Sequence, residues 1–339
     1  MEVAVVILNY NGENYLKQFL PSVLLHSQQA TIWVVDNCST DDSLAFLRRE
    51  YPQVKIVENS ENGGFAKGYN DGLKNICADY YILLNSDVEV TENWITPCIE
   101  LMESDPEIAA VQPKILSQKN KSKFEHAGAA GGYLDKNYFP FCRGRIFEKV
   151  EEDKGQYDDT VEVFWATGAC LFIRSTVFHR FNGFDEDFFA HMEEIDLCWR
   201  MKRCGLKVFA CGSSKVYHVG GGTLNYLNPQ KTYLNFRNSI FMIFKNHEGR
   251  MSRVFGRMML DGLAATLFLF KLQFRHFWAV FRAHIALYRN WRKLKNKRKE
   301  LSLSSTSFNK KGLYKKNIIF KKFLGGVSSF RDLNTKDFY

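Results

Sequence analysis

No stretch of this 339-residue chain holds the roughly 20 consecutive apolar residues that a helix needs to cross a bilayer. The best candidate, residues 262–270, is uncharged but far too short. The opening run Met1-Glu2-Val3-Ala4-Val5-Val6-Ile7-Leu8 has no basic segment and no small-residue cleavage site, so it is expected to be a first strand rather than an export leader. The eight cysteines are scattered and none forms a Cys-x-x-Cys pair, which points to reduced thiols in a cytoplasmic protein. Cys198, Cys204, Cys211 and His218 come nearest to a metal cluster, but their spacings are wider than those of a structural zinc knuckle. No RNA- or DNA-binding motif occurs, so nucleic acid is not an expected partner.

The charge that is present is uneven. Between Lys245 and Lys322 there are 20 Lys/Arg against Glu248, Asp261 and Glu300, whereas the whole chain carries only +9. A mildly acidic globular part therefore carries a strongly basic C-terminal part, of the kind that meets an anionic membrane surface. Phenylalanine is abundant, at 29 residues, many of them after residue 230.

Residues 3–9 form a continuous apolar run, as expected of a strand buried on both faces. Residues 14–26 have helical spacing through Tyr15, Phe19, Leu20 and Val23. A second β-branched run at 31–36 ends in Asp36-Asn37, and a helix at 41–51 follows. A third strand at 54–57, a helix opening at Gly63-Gly64 and a fourth strand at 80–84 complete the alternation of a parallel sheet with crossovers. Further on, the pattern predicts a helix at 94–104, a strand at 109–115, strand-like residues at 161–174, a helix at 188–204 and a strand from 207 ending at His218. Ligands of such sheets bind beyond the carboxyl ends of the strands. Here three strands end in polar residues: Asn9-Tyr10-Asn11-Gly12, Asp36-Asn37 and Asn85-Ser86-Asp87.

These ends belong to an ordered set of motifs. They are Val6-Ile7-Leu8-Asn9-Tyr10-Asn11-Gly12; Val34-Val35-Asp36-Asn37-Cys38-Ser39-Thr40-Asp41; Asn62-Gly63-Gly64-Phe65-Ala66-Lys67-Gly68-Tyr69-Asn70; Leu83-Leu84-Asn85-Ser86-Asp87; Gly168-Ala169-Cys170-Leu171-Phe172-Ile173-Arg174; Glu193-Glu194-Ile195-Asp196-Leu197-Cys198; and Val216-Tyr217-His218. In this order the chain resembles the family 2 glycosyltransferases of the GT-A fold, over about residues 1–225. Within that family it is most similar to the rhamnosyltransferase-like branch of bacterial surface polysaccharide synthesis, with galactofuranosyltransferases as cousins.

The resemblance implies a Rossmann-like, mostly parallel α/β sheet with flanking helices. It also implies an inverting hexosyltransferase that uses a nucleotide-diphosphate sugar, dTDP- or UDP-linked, and a glycan or lipid-linked glycan acceptor. By family position, Asn9, Tyr10, Asn11, Asp36 and Asn37 line the nucleotide; Gly63, Lys67 and Asn70 reach the base and phosphates; Asp87 and His218 hold a divalent metal. Asn85 stands where the family usually has a first aspartate, so beside Ser86 the chain supplies one metal carboxylate. An imidazole with one carboxylate suits Mn²⁺ better than Mg²⁺, which prefers all-oxygen shells. Glu193 and Glu194 fill the acidic pair at a helix start, with Glu194 at the position of the general base. Trp165, Thr167 and Gly168 are expected to border the sugar or the acceptor, although core packing of Trp165 is almost as natural. A nucleotidyltransferase of related fold would carry a basic phosphate loop after the first strand, but no Lys or Arg occurs between Leu8 and Lys17.

Beyond the catalytic part, Phe270, Phe274, Phe277 and Phe281 recur at helical spacing beside a basic stripe of Lys271, Arg275, Arg282 and Arg289. This is the pattern of an amphipathic helix at a membrane interface. Composition thus divides the chain into a catalytic domain (1–230), a helical basic and aromatic region on the cytoplasmic membrane face (231–299) and a basic tail (300–339), with a flexible link expected at 302–307.

Overall fold

The computed structural model describes residues 1–126, 128–220 and 228–339. The chain opens with strands β1 (Val3–Asn9), β2 (Thr31–Asp36), β3 (Lys55–Glu58) and β4 (Tyr80–Asn85), joined by helices α1 (Glu13–His26), α2 (Ser43–Glu50) and α3 (Gly64–Leu73). Strands β5 (Val88–Val90) and β6 (Ile108–Ser117) flank α4 (Thr96–Ser104). Four short strands follow: β7 (Gly132–Leu134), β8 (Pro140–Cys142), β9 (Arg145–Ile146) and β10 (Lys149–Val150). Then come β11 (Thr160–Val163), β12 (Cys170–Arg174), α5 (Ser175–Arg180), α6 (Glu193–Lys202) and β13 (Lys207–His218).

Among the described residues, the main sheet runs β11-β13-β6-β12-β4-β1-β2-β3, with β5 paired to β13. Its first half, β3-β2-β1-β4, is parallel, whereas β12 is antiparallel to both β4 and β6. Side chains alternate across each strand. Ala4, Val6, Tyr81, Leu83, Leu171 and Ile173 enter one core layer, with α3, α5 and α6. Val3, Val5, Ile7, Ile82, Leu84 and Phe172 enter the other, with α1, α2 and α4. Burial on both faces accounts for the unbroken apolar runs of β1 and β4.

Two sequence expectations are corrected here. The expected strand at 161–174 is two strands, β11 and β12, separated by the turn that carries Trp165, Thr167 and Gly168. The helix expected at 188–204 starts only at Glu193, because Phe189, His191 and Met192 take left-handed backbone angles of 62°, 72° and 73° and interrupt it.

Four further helices follow: α7 (Pro229–Asn246), α8 (Ser252–Phe270), α9 (Phe274–Arg289) and α10 (Trp291–Ser304). Ile240, Phe241, Met242, Phe244, Leu287 and Leu294 from three of them enter the same core layer as α6. Ion pairs reinforce this docking: Lys245 contacts Asp185 and Asp196, while Lys297 reaches Asp185 at 2.6 Å and Asp187 at 2.7 Å.

The aromatic stripe expected on one helix is divided. The chain turns at Leu272 (φ 56°), so Phe270 ends α8 and Phe274 begins α9. Phe277 turns partly inward, and Trp278 takes its place beside Phe274 and Phe281 on the exposed face. Met259, Leu263 and Leu267 continue that apolar face along α8. No helix among the described residues is long and apolar enough to cross a membrane.

Residues 300–339 are not a loose tail. Thr306 N–H donates to the Arg203 carbonyl at 3.2 Å across the expected flexible link, and Tyr314 N–H donates to the Leu134 carbonyl at 2.8 Å. Tyr314, Phe330 and Phe338 pack on Tyr133 and Phe141 of the small sheet, with Phe330 and Phe338 centred 4.9 and 5.3 Å from Tyr133. Helix α11 (Ile318–Phe323) starts where Ile318 N–H donates to Asp135 at 3.0 Å. These contacts are distant in sequence, so local pattern gives no sign of them.

Candidate active site

The carboxyl ends of β1 and β2 lock together. Buried Asn9 donates its amide to Asp36 Oδ1 (3.0 Å) and to Ser39 Oγ (3.2 Å), and Asp36 Oδ2 accepts the Ser39 N–H at 2.8 Å. Asn11, at φ 49°, accepts the Thr40 N–H at 2.7 Å. Tyr10 projects between these turns with 41% of its surface exposed, free to meet a ligand. Asn37 faces the glycine-rich segment, donating to Asn62 Oδ1 (2.9 Å) and the Gly64 carbonyl (3.0 Å) and accepting from Asn59 (3.1 Å). Asp36 and Asn37 thus brace the rim internally.

The glycine-rich segment opens α3, with Gly63 just before its first residue. Gly64 has φ +76°, and a Cβ there would meet the Phe189 ring at 2.5 Å, so glycine is required. Lys67 is held by Asp71 and, at 3.3 Å, by Glu61. Asn70 donates to the Phe184 carbonyl at 2.8 Å and accepts the Phe184 N–H at 2.9 Å, so both amide atoms are spent on fixing the loop before α6. These two hydrogen bonds tie the expected ligand residue Asn70 to the loop before α6.

Asn85 closes β4, and its N–H donates to the Ala169 carbonyl at 3.0 Å. Ser86 follows, its Oγ 3.5 Å from where a Gly12 Cβ would stand. Asp87 and His218 then meet, because β13 runs antiparallel to β5 with His218 opposite Val88. His218 Nε2 lies 3.1 Å from Asp87 Oδ1 and 3.4 Å from the Asn85 amide. On its other side, His218 Nδ1 lies 3.2 Å from Glu125 Oε2. Burial alone would lower the imidazole pKa, but the two carboxylates overcome it and raise it to about 10. Glu125 was missed in sequence. It sits in Glu125-His126-Ala127-Gly128, a stretch with no assigned role, and only the fold shows its contact. His126 itself approaches Arg145 Nη1 at 3.1 Å, and burial followed by that charge lowers its pKa.

Asp87 Oδ1 and His218 Nε2 are donor types that a divalent cation takes, and an ion bound there would displace the proton they share across 3.1 Å. The remaining positions need other donors, since no group of three or more His, Cys, Asp or Glu among the described residues forms a metal cluster. Cys198, Cys204 and Cys211 are all free thiols.

Across the Gly168–Ala169 turn stands the acidic pair. A Cβ on Gly168 would lie 3.1 Å from Phe65 and 3.8 Å from Glu194, so Glu194 packs against this turn. Glu193 is buried; burial and the neighbouring Glu194 charge hold its carboxyl well above the usual range. Burial raises Glu194 to about 7, while the backbone N–H groups of Glu194, Ile195 and Met192 act in the opposite sense. Trp165 is buried against Gly132 and donates its indole N–H to the Tyr133 carbonyl at 3.0 Å, which places its ring in the packing rather than on an open face. Thr167 is also buried, its N–H bonded to Gln112 Oε1 at 3.0 Å.

A rim of polar strand ends and a carboxylate–imidazole pair thus lie on a large, mostly parallel α/β sheet with flanking helices, the architecture of the GT-A fold. Residues 4–181 match the model of glycosyl transferase family 2, and the chain belongs to that family. Over 281 residues it is 21% identical to the low-salt glycan biosynthesis hexosyltransferase Agl10 of Haloferax volcanii, covering 80% of this chain and 85% of the relative. It is 23% identical over 235 residues to the N-acetylglucosaminyl-diphospho-decaprenol L-rhamnosyltransferase of Mycobacterium tuberculosis, covering 65% and 76%. The fold also resembles GalNAc-T7, solved with UDP, GalNAc and Mn²⁺, at a TM-score of 0.63 and 15% identity, covering 91% of this chain and 55% of that one.

Proposed function

We propose that this glycosyltransferase is an inverting hexosyltransferase. It moves a rhamnose-like sugar from a dTDP- or UDP-linked donor to a lipid-linked glycan at the cytoplasmic membrane face. The observations that support this reading are the buried Asp87–His218 pair at the end of β13 and Glu194 at the start of α6, against the Gly168 turn. Asp87 and His218 would hold the cation. The ion, when bound, neutralises the diphosphate leaving group as a Lewis acid. Glu194, titrating near neutrality, takes the acceptor hydroxyl's proton, the role for which a pKa close to the working pH is best. Glu193 is buried beside it, its carboxyl held above the usual range by burial and by the Glu194 charge. The Asn9–Asp36 and Asn11–Thr40 locks keep the nucleotide rim in one shape. The mycobacterial relative's name, which specifies a diphospho-decaprenol acceptor, supports the lipid-linked class.

The one-carboxylate, one-imidazole pair gives a test of the metal. Turnover is expected to be higher with Mn²⁺ than with Mg²⁺ at equal free concentration. Equal turnover with both ions, or full turnover in excess chelator, counts against the assignment.

The exposed face of the α8–α9 hairpin supports the membrane reading. Phe270, Phe274, Trp278 and Phe281 stand out into solvent beside Lys271, Arg275 and Arg282. Replacing Phe274, Trp278 and Phe281 together by Ser is expected to abolish flotation with vesicles containing phosphatidylglycerol while leaving donor hydrolysis unchanged. Undiminished flotation of that variant would remove the hairpin from the reading.

A further inference from the structure

The segment that delivers the acidic pair is held from outside the region matched by the family model. Asn238, on α7, is fully buried, and its Nδ2 lies 2.9 Å from the Phe188 carbonyl, 2.8 Å from that of Ala190 and 2.7 Å from that of His191. Its Oδ1 accepts from Arg237 Nε at 2.8 Å. That bond sets the amide's orientation, because a flipped amide would turn its oxygen toward three carbonyl oxygens. Arg237 Nη2 adds bonds to the Asp187 and Phe188 carbonyls at 2.8 and 3.0 Å. From the opposite side, the Phe189 carbonyl accepts the N–H groups of Phe65 and Ala66, at 2.7 and 3.2 Å, at the start of α3.

The gripped residues are those with unfavourable backbone angles. Phe189, His191 and Met192 are all left-handed, although none is glycine, and such conformations persist only where surrounding contacts over-determine them. α6 starts directly afterwards, and Asp196 N–H bonds the Met192 carbonyl at 2.9 Å, so the turn's shape passes into the first turn of the helix.

We propose that Asn238 is a positioning residue for glycosyl transfer: it holds the left-handed turn at 188–192 from which α6 starts, and so sets where the Glu194 carboxylate stands. The proposal rests on the assignment of Glu194 as the base. One peptide shows how the effect is transmitted. The C=O of the His191–Met192 peptide is held by Asn238, while its N–H is among those that stabilise the Glu194 anion. In a trans peptide the two groups point in opposite directions, so fixing one aims the other. The titratable groups near Glu194 on its own helix are Glu193, Asp196 and Cys198, and the Gly168 turn packed against it is uncharged.

The experiment compares Asn238→Ala with the wild-type enzyme, measuring donor affinity by calorimetry and kcat across pH. Donor affinity is expected to stay at the wild-type value, whereas kcat falls about 100-fold, as for a catalytic group displaced by about 1 Å. The acid limb of the pH profile is expected to move to higher pH, because an anion that loses an N–H donor binds its proton more tightly. Should Asn238→Ala not fold, Arg237→Lys keeps the charge but loses the fork that orients Asn238, and the same two changes are expected at about a tenth of the size in kcat. Wild-type kcat and an unmoved acid limb, beside a Glu194→Gln enzyme that is inactive, would overturn the role of Asn238 alone. Full kcat in Glu194→Gln would instead overturn the base assignment.

Discussion

Glu194→Gln is expected to lower kcat by about 10²- to 10⁴-fold, the usual contribution of a general base, without weakening donor binding. The amide keeps the shape of the side chain and removes only its ability to accept a proton. The wild-type rate should rise with pH through about 7, where Glu194 ionises. The variant should lose that limb. A second readout has the opposite sign. Burial raises the folded-state pKa of Glu194 above the ordinary glutamate value of 4.5, so the anion costs stability above that value, increasingly so until pH passes about 7. Glu194→Gln should therefore raise Tm at pH 8, and the gain should disappear as pH falls to about 4.5. A less active, more stable variant is the signature of a carboxyl buried for chemistry rather than for folding. A variant with wild-type kcat would end the assignment.

Asp87→Ala is expected to reduce kcat/KM by about 1000-fold, since a catalytic cation supplies several kcal/mol of charge stabilisation. Unlike Glu194→Gln, it should also weaken donor binding measured with Mn²⁺, because donor diphosphate and ion bind together. His218→Ala should cause a similar loss of metal-dependent binding, with a structural consequence that Asp87→Ala lacks. The imidazole lies between Asp87 at 3.1 Å and Glu125 at 3.2 Å, all three residues being buried. Without it, two buried carboxylates face each other with no cation between them. Both variants lose a buried ion pair in metal-free buffer, so both should lower Tm, His218→Ala by more. Calorimetric titration of UDP with and without Mn²⁺, together with thermal melts of the two variants, checks both claims. Unchanged metal-dependent binding in either variant would remove that residue from the metal site.

What could be read in the sequence follows the range of the forces involved. β1 and β4 were legible because burial on both faces leaves an unbroken apolar run, and the polar ends of β1, β2 and β4 at Asn9, Asp36 and Asn85 were legible because polar residues close those runs. The start of α6 was not. Its apolar spacing continues upstream, and the left-handed turn at Phe189–Met192 is held by Asn238, 46 or more residues away in sequence. Glu125 was hidden for the same reason: its meaning is a contact with His218, and nothing near it in the chain signals that. Asn70 and Trp165 were harder to read. Both lie inside motifs that were read for ligand contacts, yet their polar atoms bond to Phe184 and Tyr133. Residues 300–339 were opaque because their aromatic side chains pack on rings far upstream, Tyr133 and Phe141 among them.

That last contact bears on how the protein is made. As the chain leaves the ribosome, β1 to β4 can pair early, because their partners lie within the first 85 residues. β6 waits for β12 and β13, the turn before Glu193 waits for Asn238, and the aromatic face of the small sheet waits for Phe330 and Phe338. Throughout much of its synthesis the nascent chain carries an uncovered patch of Tyr133 and Phe141, a surface for chaperones or for aggregation. Expression stopped near residue 300 would make that transient state permanent.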